Sequence, residues 1–410
     1  MLRKIPTDSL RVGMHVHEVC GSWLEHPFWR GSFKVTDEDQ IRQLGAIREV
    51  IIDTDKGRDV DMKVVHDIEL PSTDFSDLPE PVFTPPSPPS EPVRQVPTSF
   101  KDELARAGRV LAKSREAMQT MFQDARMGKA LDNEHCLPLV NEIADSVERN
   151  PGALVSLVRL KTSDAYTFMH SVAVCALMVS LARQLKLSES QAREAGMAGL
   201  VHDMGKALMP LEVLNKPGAL TQEEFAIMKS HPEEGYKLLN EGGGVSAVAL
   251  DVCLHHHEKI NGRGYPKGLK GDEISLYAKM GAVCDVYDAI TSNRPYKAGW
   301  DPADSLTKMA AWTKEGHFDD RVFQAFVKSI GIYPTGSLVK LQSGRLAVVV
   351  EQGSGSLLSP IVRVFFSTKS NQPIPVELLD LGKTVDQIVS RESKSQWGFQ
   401  NLDQLWQQVG

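Results

Sequence analysis

The stretch LHHHEKINGRGYPKG, residues 254–268, sets three imidazoles and a carboxylate directly before a Gly-Arg-Gly-Tyr-Pro turn. Consecutive helical residues point about 100° apart. Neighbouring histidines can therefore face one centre only near the end of a helix, where the chain is about to turn. The following residues supply that turn: Gly262 and Gly264 permit a tight loop and close backbone approach, and Pro266 fixes its exit. Six of the chain's 12 histidines fall in the same region, namely His170, His202, His231, His255, His256 and His257. Acidic partners stand nearby, with Asp203 in LVHDMGK and Asp285 and Asp288 in AVCDVYDAI.

Each residue alone has a bland reading. A single histidine in an apolar helix, such as His170, is more often a satisfied core residue. Asp285 and Asp288, three residues apart, could form the polar face of a helix. Yet Asp285 follows MGAVC in a largely apolar helix, where an unpaired carboxylate is costly. Several imidazoles and carboxylates on apolar helices suit two divalent cations sharing one aspartate. The donors are nitrogen and oxygen without paired thiolates, which favours iron or manganese over structural zinc. Such a pair activates water at neutral pH and clamps a phosphate, as phosphodiester hydrolysis requires.

Around this centre the chain divides by texture. Residues 71–99 hold nine of the 23 prolines and read as a stiff, extended linker. Before it, the short apolar runs GMHVHEV, SFKVT and REVIIDT predict strands, with a helix over DEDQIRQLGA and an aromatic knot of Trp23, Phe28 and Trp29. After it, residues 100–129 predict a long, exposed or dimer-forming helix. A buried helix opening at Asp164, a Thr221/Glu224 capping box, and helix starts at Ser275 and Asp301-Pro302 follow. From residue 335 the runs GSLVKLQSGRLAVVVEQ and PIVRVFFST predict a small hairpin-built appendage.

Composition sets outer limits. With 410 residues, 41% hydrophobic and 24% charged, the chain has material for two or three folded domains. A net charge of −7 argues against a nucleic-acid duplex as partner. The five scattered cysteines fit a reducing compartment, and the N-terminus lacks a signal-peptide run. The most apolar segment, SVAVCALMVSLA at 171–182, is shorter than the about 20 residues a bilayer span needs. A soluble cytoplasmic protein is expected.

The ordered set His170, His202-Asp203 in HDMGK, His231, His256-His257-Glu258, NGRGYP and Asp285 resembles the HD-GYP family. These are HD-type metal-dependent phosphohydrolases that cleave cyclic di-GMP. The match spans roughly residues 100–334, and GMHVHEVCGSWLEHPFW resembles the uncharacterised domain often found ahead of HD-GYP domains. The resemblance implies a multi-domain chain: a small mixed α/β domain (1–70), the linker (71–99), an all-α catalytic core (100–334) and a β-rich extension (335–410). It implies that His170, His202, Asp203 and Asp285 bind one metal, and that Asp203 bridges to a second held by His231, His256 and His257. Lys206 is then the cation at the scissile phosphate, acting with Asp203 in catalysis. Gly264, Tyr265, Asp288, Arg294 and Lys297 form the substrate-contact set, Asp288 also supporting the metal shell. Some members place a glutamate for a third metal where this chain has Tyr166, so two metals are expected. His255 receives no ligand role.

The expected reaction is hydrolysis of cyclic di-GMP to linear pGpG, with GMP by a second round. Two rivals stay open: an HD hydrolase of another cyclic dinucleotide, and an adaptor that binds cyclic di-GMP or GGDEF-domain proteins without turnover. A homodimer through the 100–129 helix also stays open.

Overall fold

The computed structural model describes residues 2–20, 33–38, 41, 49–58, 98–129, 133–159, 166–216, 218, 220–292, 299–353, 355–399 and 402–407. Trp23, Phe28, Trp29, Arg294, Lys297, most of DEDQIRQLGA and nearly all of the proline-rich stretch lie outside the described residues. The chain forms two compact units, one of residues 1–77 with 210–226, the other of residues 78–209 with 227–410.

In the first unit the three predicted apolar runs are strands. β1 (Leu2–Pro6), β2 (His15–Cys20), β3 (Phe33–Lys34) and β4 (Glu49–Asp53) form an antiparallel sheet in the order β1-β4-β2-β3. Alternating residues Ile5, Val16, Val50 and Ile52 bury one face with Leu10, Met14 and Val35. The helices Leu211–Leu214 and most of Gln222–Met228 group with this unit, although the sequence reading counted them in the helical core. The Thr221/Glu224 capping box forms reciprocally: Thr221 N–H donates to Glu224 Oε2 at 2.7 Å and Glu224 N–H to Thr221 Oγ1 at 3.2 Å.

The second unit is built on helices: α1 (Phe100–Arg126), α2 (Asn133–Arg149), α3 (Pro151–Val158), α4 (Tyr166–Gln184), α5 (Glu189–Val201), α6 (Leu211–Leu214), α7 (Gln222–Met228), α8 (His231–Gly242), α9 (Ala247–His255), α10 (Leu276–Thr291), α11 (Pro302–Lys314) and α12 (Asp320–Ile330), with α6 and most of α7 belonging to the first unit as stated. Helix starts follow the local chemistry. Asn150 accepts from Gly152 and Ala153 ahead of Pro151, Ser275 accepts from Ala278, and Asp301 accepts from Ala303 ahead of Pro302. Helix α4 is buried along nearly its whole length, as its apolar composition requires.

Helix α1 departs from the exposed or dimer-forming reading. Phe100, Ala107, Met118, Met121, Phe122 and Ala125 form one buried face against the chain's own core. On the same face Glu103 is fully buried and accepts from Ser146 Oγ at 2.7 Å, Arg149 Nε at 2.7 Å and Arg149 Nη2 at 2.9 Å. Burial pushes the Glu103 carboxyl up, but the hydrogen bonds from Arg149 and Ser146 outweigh it and hold the group below the usual carboxylate range.

The C-terminal strands β5 (Leu338–Leu341), β6 (Arg345–Glu351), β7 (Ile361–Ser367), β8 (Gln372–Asp380) and β9 (Ile388–Arg391) make an antiparallel sheet in the order β8-β7-β6-β5-β9. It is hairpin-built as expected, and it packs on the helices. Leu338, Leu346, Val348, Val350 and Phe366 on one face share a core with Phe100 of α1, Ala153 of α3 and Trp406. The opposite face buries Val339, Leu341, Ala347, Val349, Val362 and Val364. Polar ties close the seam: Asn150 Nδ2 donates to Glu351 Oε1 at 3.0 Å, and Arg391 Nη1 donates to Thr307 Oγ1 at 2.6 Å.

Two stability outcomes follow from this packing. Trp406→Ala, at a fully buried site, is expected to lower the unfolding free energy by about 3–5 kcal/mol in a urea titration. Glu103→Ala, which leaves the Arg149 guanidinium without its partner, is expected to cost about 3 kcal/mol at neutral pH. Because the Glu103 pKa is lowered on folding, its contribution is present above the unfolded value of about 4.3 and lost as pH falls through the folded value. Stability of the variant should therefore fall less steeply than wild type in that acid range.

Candidate metal centre

Seven side chains from distant parts of the sequence converge in the helical unit, and every one is buried. Their ligand atoms form two sets: His170, His202 and Asp285 in one, and Asp203, His231, His256 and His257 in the other, each set within 4.8 Å. Asp203 lies between them. Its Oδ2 is 3.5 Å from His170 Nε2 and 3.4 Å from His202 Nε2, whereas its Oδ1 is 3.2 Å from His231 Nε2 and 3.7 Å from His256 Nε2. Asp285 Oδ1 is 2.9 Å from His170 Nε2, and its Oδ2 is 3.8 Å from His257 Nδ1.

The helices explain the convergence. His170 lies in α4 and Asp285 in α10, both deep in apolar segments. His202 follows the last residue of α5, His231 begins α8, and His256 caps α9, so His256 and His257 sit where that helix ends. Gly205 makes the junction possible: a Cβ there would stand 1.9 Å from the His231 carbonyl oxygen and 2.6 Å from Gly235 N. Only glycine lets the turn after Asp203 press onto the start of α8.

Hydrogen bonds orient the rings. Nδ1 of His202 lies 2.8 Å from Gly199 O, Nδ1 of His231 lies 2.7 Å from Met228 O, and Nδ1 of His256 lies 3.0 Å from Val252 O. A carbonyl oxygen only accepts, so each Nδ1 carries the proton and each Nε2 turns a lone pair to the centre. His170 is backed differently: its Nδ1 donates to Asp288 Oδ2 at 2.6 Å, while Asp288 Oδ1 accepts from Ser292 Oγ at 3.1 Å. Asp288 is buried behind His170 with its oxygens engaged there. His255 pairs with Asp251 Oδ1 at 2.8 Å and belongs to neither ligand set.

Divalent cations fit this donor set. His202 Nε2, Asp203 Oδ1 and Asp285 Oδ2 are buried without hydrogen-bond partners, a costly state that coordination relieves. Against the cost of burial, Asp203 and Asp285 draw positive charge to His202 and push its imidazole up to about 10, a charge that a coordinated cation would supply in place of the Nε2 proton. Burial and the neighbouring His202 push His256 down to about 3. Burial also raises Asp203 and Asp285, but Lys206 and His202 for the first, and His170 and His202 for the second, hold both well below the usual carboxylate range. Two ionised, buried carboxylates thus form an anionic core that neighbouring cations must balance. Neither ligand set contains a cysteine, and burial raises the Cys253 and Cys284 thiols.

Around the centre, Lys206 Nζ forms an ion pair with Asp203 Oδ2. The Tyr265 ring stacks on His257 with centroids 4.7 Å apart, and Lys229 Nζ stands 5.8 Å from the Tyr265 ring centroid. Gly264 permits this fold-back, since a Cβ there would lie 2.3 Å from Lys259 N. Glu258 was read only as part of the motif; it accepts three backbone N–H groups of the loop after Tyr265. Its sequence signal was weak, because a glutamate beside histidines reads first as a ligand.

Buried imidazoles and carboxylates on a helical frame, in two sets joined by one aspartate, define a metal-dependent phosphohydrolase of the HD class. Family models match twice, a domain of unknown function (DUF3391) over residues 2–136 and an HD domain over residues 142–322. The chain is 51% identical over 411 residues to a cyclic di-GMP phosphodiesterase of Pseudomonas aeruginosa, covering 99% of this chain and 96% of that protein. A cyclic di-GMP phosphodiesterase response regulator of Xanthomonas campestris is 37% identical over 198 residues, 48% of this chain and 51% of the regulator. A 3′3′-cGAMP-specific phosphodiesterase of Vibrio cholerae is 34% identical over 164 residues, 40% of this chain and 38% of that protein. The chain belongs to the HD-GYP family of cyclic di-GMP phosphodiesterases.

The His170–Asp288 pair gives a direct measurement. Asp288→Asn is expected to weaken metal retention by about 10–100-fold in competition with a chelator, as loss of a partner behind a ligand does. Unchanged retention with weakened dinucleotide binding would instead return Asp288 to the substrate-contact set.

Proposed function

We propose that this chain hydrolyses the 3′,5′-phosphodiester of cyclic di-GMP at the Asp203-centred site, giving linear pGpG first and GMP on a second round. One observation carries this reading: the two oxygens of buried Asp203 face two separate sets of histidine nitrogens. His170, His202, Asp203 and Asp285 would hold one divalent cation, iron or manganese, and Asp203, His231, His256 and His257 a second. When bound, the pair supplies Lewis acidity and activation of water at neutral pH.

The chain's own residues complete the reaction. Lys206 places an ammonium next to Asp203, where it offsets negative charge on the phosphoryl oxygens. The carbonyl-anchored Nδ1 protons orient three imidazoles with Nε2 toward the centre. Tyr265 walls the pocket beside His257, and Arg294 and Lys297 contact the phosphates or guanine. We assign the chain to the cytoplasm, with residues 1–70 as a small mixed α/β domain, 71–99 as linker, 100–334 as the catalytic core and 335–410 as the extension. Among the described residues no helix is long and apolar enough to cross a membrane.

Purified wild type and the His202→Ala and Asp203→Ala variants decide the matter. Both variants are expected to lose at least about 100-fold in cyclic di-GMP turnover. Wild-type turnover in either, at unchanged metal content, would exclude this site. Parallel assays with 3′3′-cGAMP distinguish a hydrolase of another cyclic dinucleotide. Tight cyclic di-GMP binding with negligible cleavage by metal-loaded wild type would indicate an adaptor, including one for GGDEF-domain proteins.

A further inference from the structure

The residue next to His257 is spent on the loop rather than on the metal sets. Glu258 is 3% exposed, and its carboxylate sits inside the turn that follows. Oε1 accepts from Lys267 N–H at 2.7 Å and Gly268 N–H at 3.0 Å, and Oε2 accepts from Leu269 N–H at 3.1 Å. The loop is closed at its base, where Gly271 N–H donates to Ile260 O at 3.1 Å and Asn261 bridges Lys270 in antiparallel fashion. The same base is tied to the turn after α11: Asn261 N–H donates to Gly316 O at 2.8 Å and Asn261 Nδ2 to Glu315 O at 2.9 Å.

We infer that Glu258 is a positioning residue for the substrate pocket, acting through Tyr265. The inference rests on the reading under Proposed function, that the space beside His257 receives the dinucleotide. With the base fixed, one internal carboxylate sets the height of the returning strand of the loop. Tyr265 then has one place: its N–H donates to His257 O at 3.3 Å and its ring lies on the His257 imidazole at an interplanar angle of 26°. A buried carboxylate must have partners. Here all three are consecutive backbone donors of the loop carrying Tyr265, so releasing them frees the pocket wall and leaves the metal sets intact.

Glu258→Gln tests this without removing volume. The amide keeps one acceptor but presents N–H groups where the loop also presents N–H, so at least one charge-assisted bond is lost. Amide hydrogen exchange over residues 259–271 is expected to speed up about tenfold or more. KM for cyclic di-GMP should rise about tenfold, with kcat within about threefold of wild type and metal content unchanged. Tyr265→Leu, which leaves the carboxylate clamp in place, should reproduce the KM rise without faster exchange at 267–269. Unchanged exchange in Glu258→Gln, or a loosened loop with unchanged KM, overturns the inference. So does a joint fall in kcat, metal content and Tm, the mark of a merely structural residue. If wild type cleaves no cyclic di-GMP, the functional reading falls, while the exchange measurement still decides whether Glu258 clamps the loop.

Discussion

The helical unit is organised around one buried carboxylate whose two oxygens face opposite ways. Asp203 is fully buried with imidazole nitrogens within 3.7 Å of both oxygens. Such a group is costly in an apolar interior unless surrounded by donors or cations. Its presence constrains the packing of α4, α5, α8, α9 and α10, because each must deliver a side chain to within a few ångströms of it. The requirement for glycine at position 205 is one consequence, since any larger residue would separate Asp203 from His231.

The ligand candidates reach the centre in two ways. His170 and Asp285 project from within apolar helices, so their orientation depends on helix packing. His202, His231, His256 and His257 stand at helix ends, and in the first three a main-chain carbonyl three or four residues earlier lies within 3.0 Å of Nδ1. For His202 and His256 the same helix supplies both the ring and the acceptor that orients it, whereas Met228 at the end of α7 orients His231 at the start of α8.

The surrounding framework is more integrated than its sequence texture suggests. Helix α1 and the C-terminal sheet share apolar contacts through Phe100 and Trp406, and Glu103 fastens α1 to α2. The charges on α1 suggest an exposed rod, but apart from the paired Glu103 its inner face is uncharged. The RLAVVVE run of β6 is buried on both faces, which is why it lacks the alternation of a half-exposed strand.

The sequence by itself determined the helical core, the strands at either end, and the candidate residues, because periodicity and ordered motifs are local properties of the chain. It also indicated that His256 and His257 must stand at a helix end, since adjacent helical side chains diverge. Tertiary structure alone decided which oxygen of Asp203 faces which histidines, that Asp288 backs His170, and that Glu258 holds the loop beneath Tyr265. It also decided that the C-terminal strands share the core of α1 and α3. The physical reason is common to all four: hydrogen bonds and apolar contacts between residues far apart in the chain, or across a loop, depend on how surfaces meet. No local pattern records that meeting.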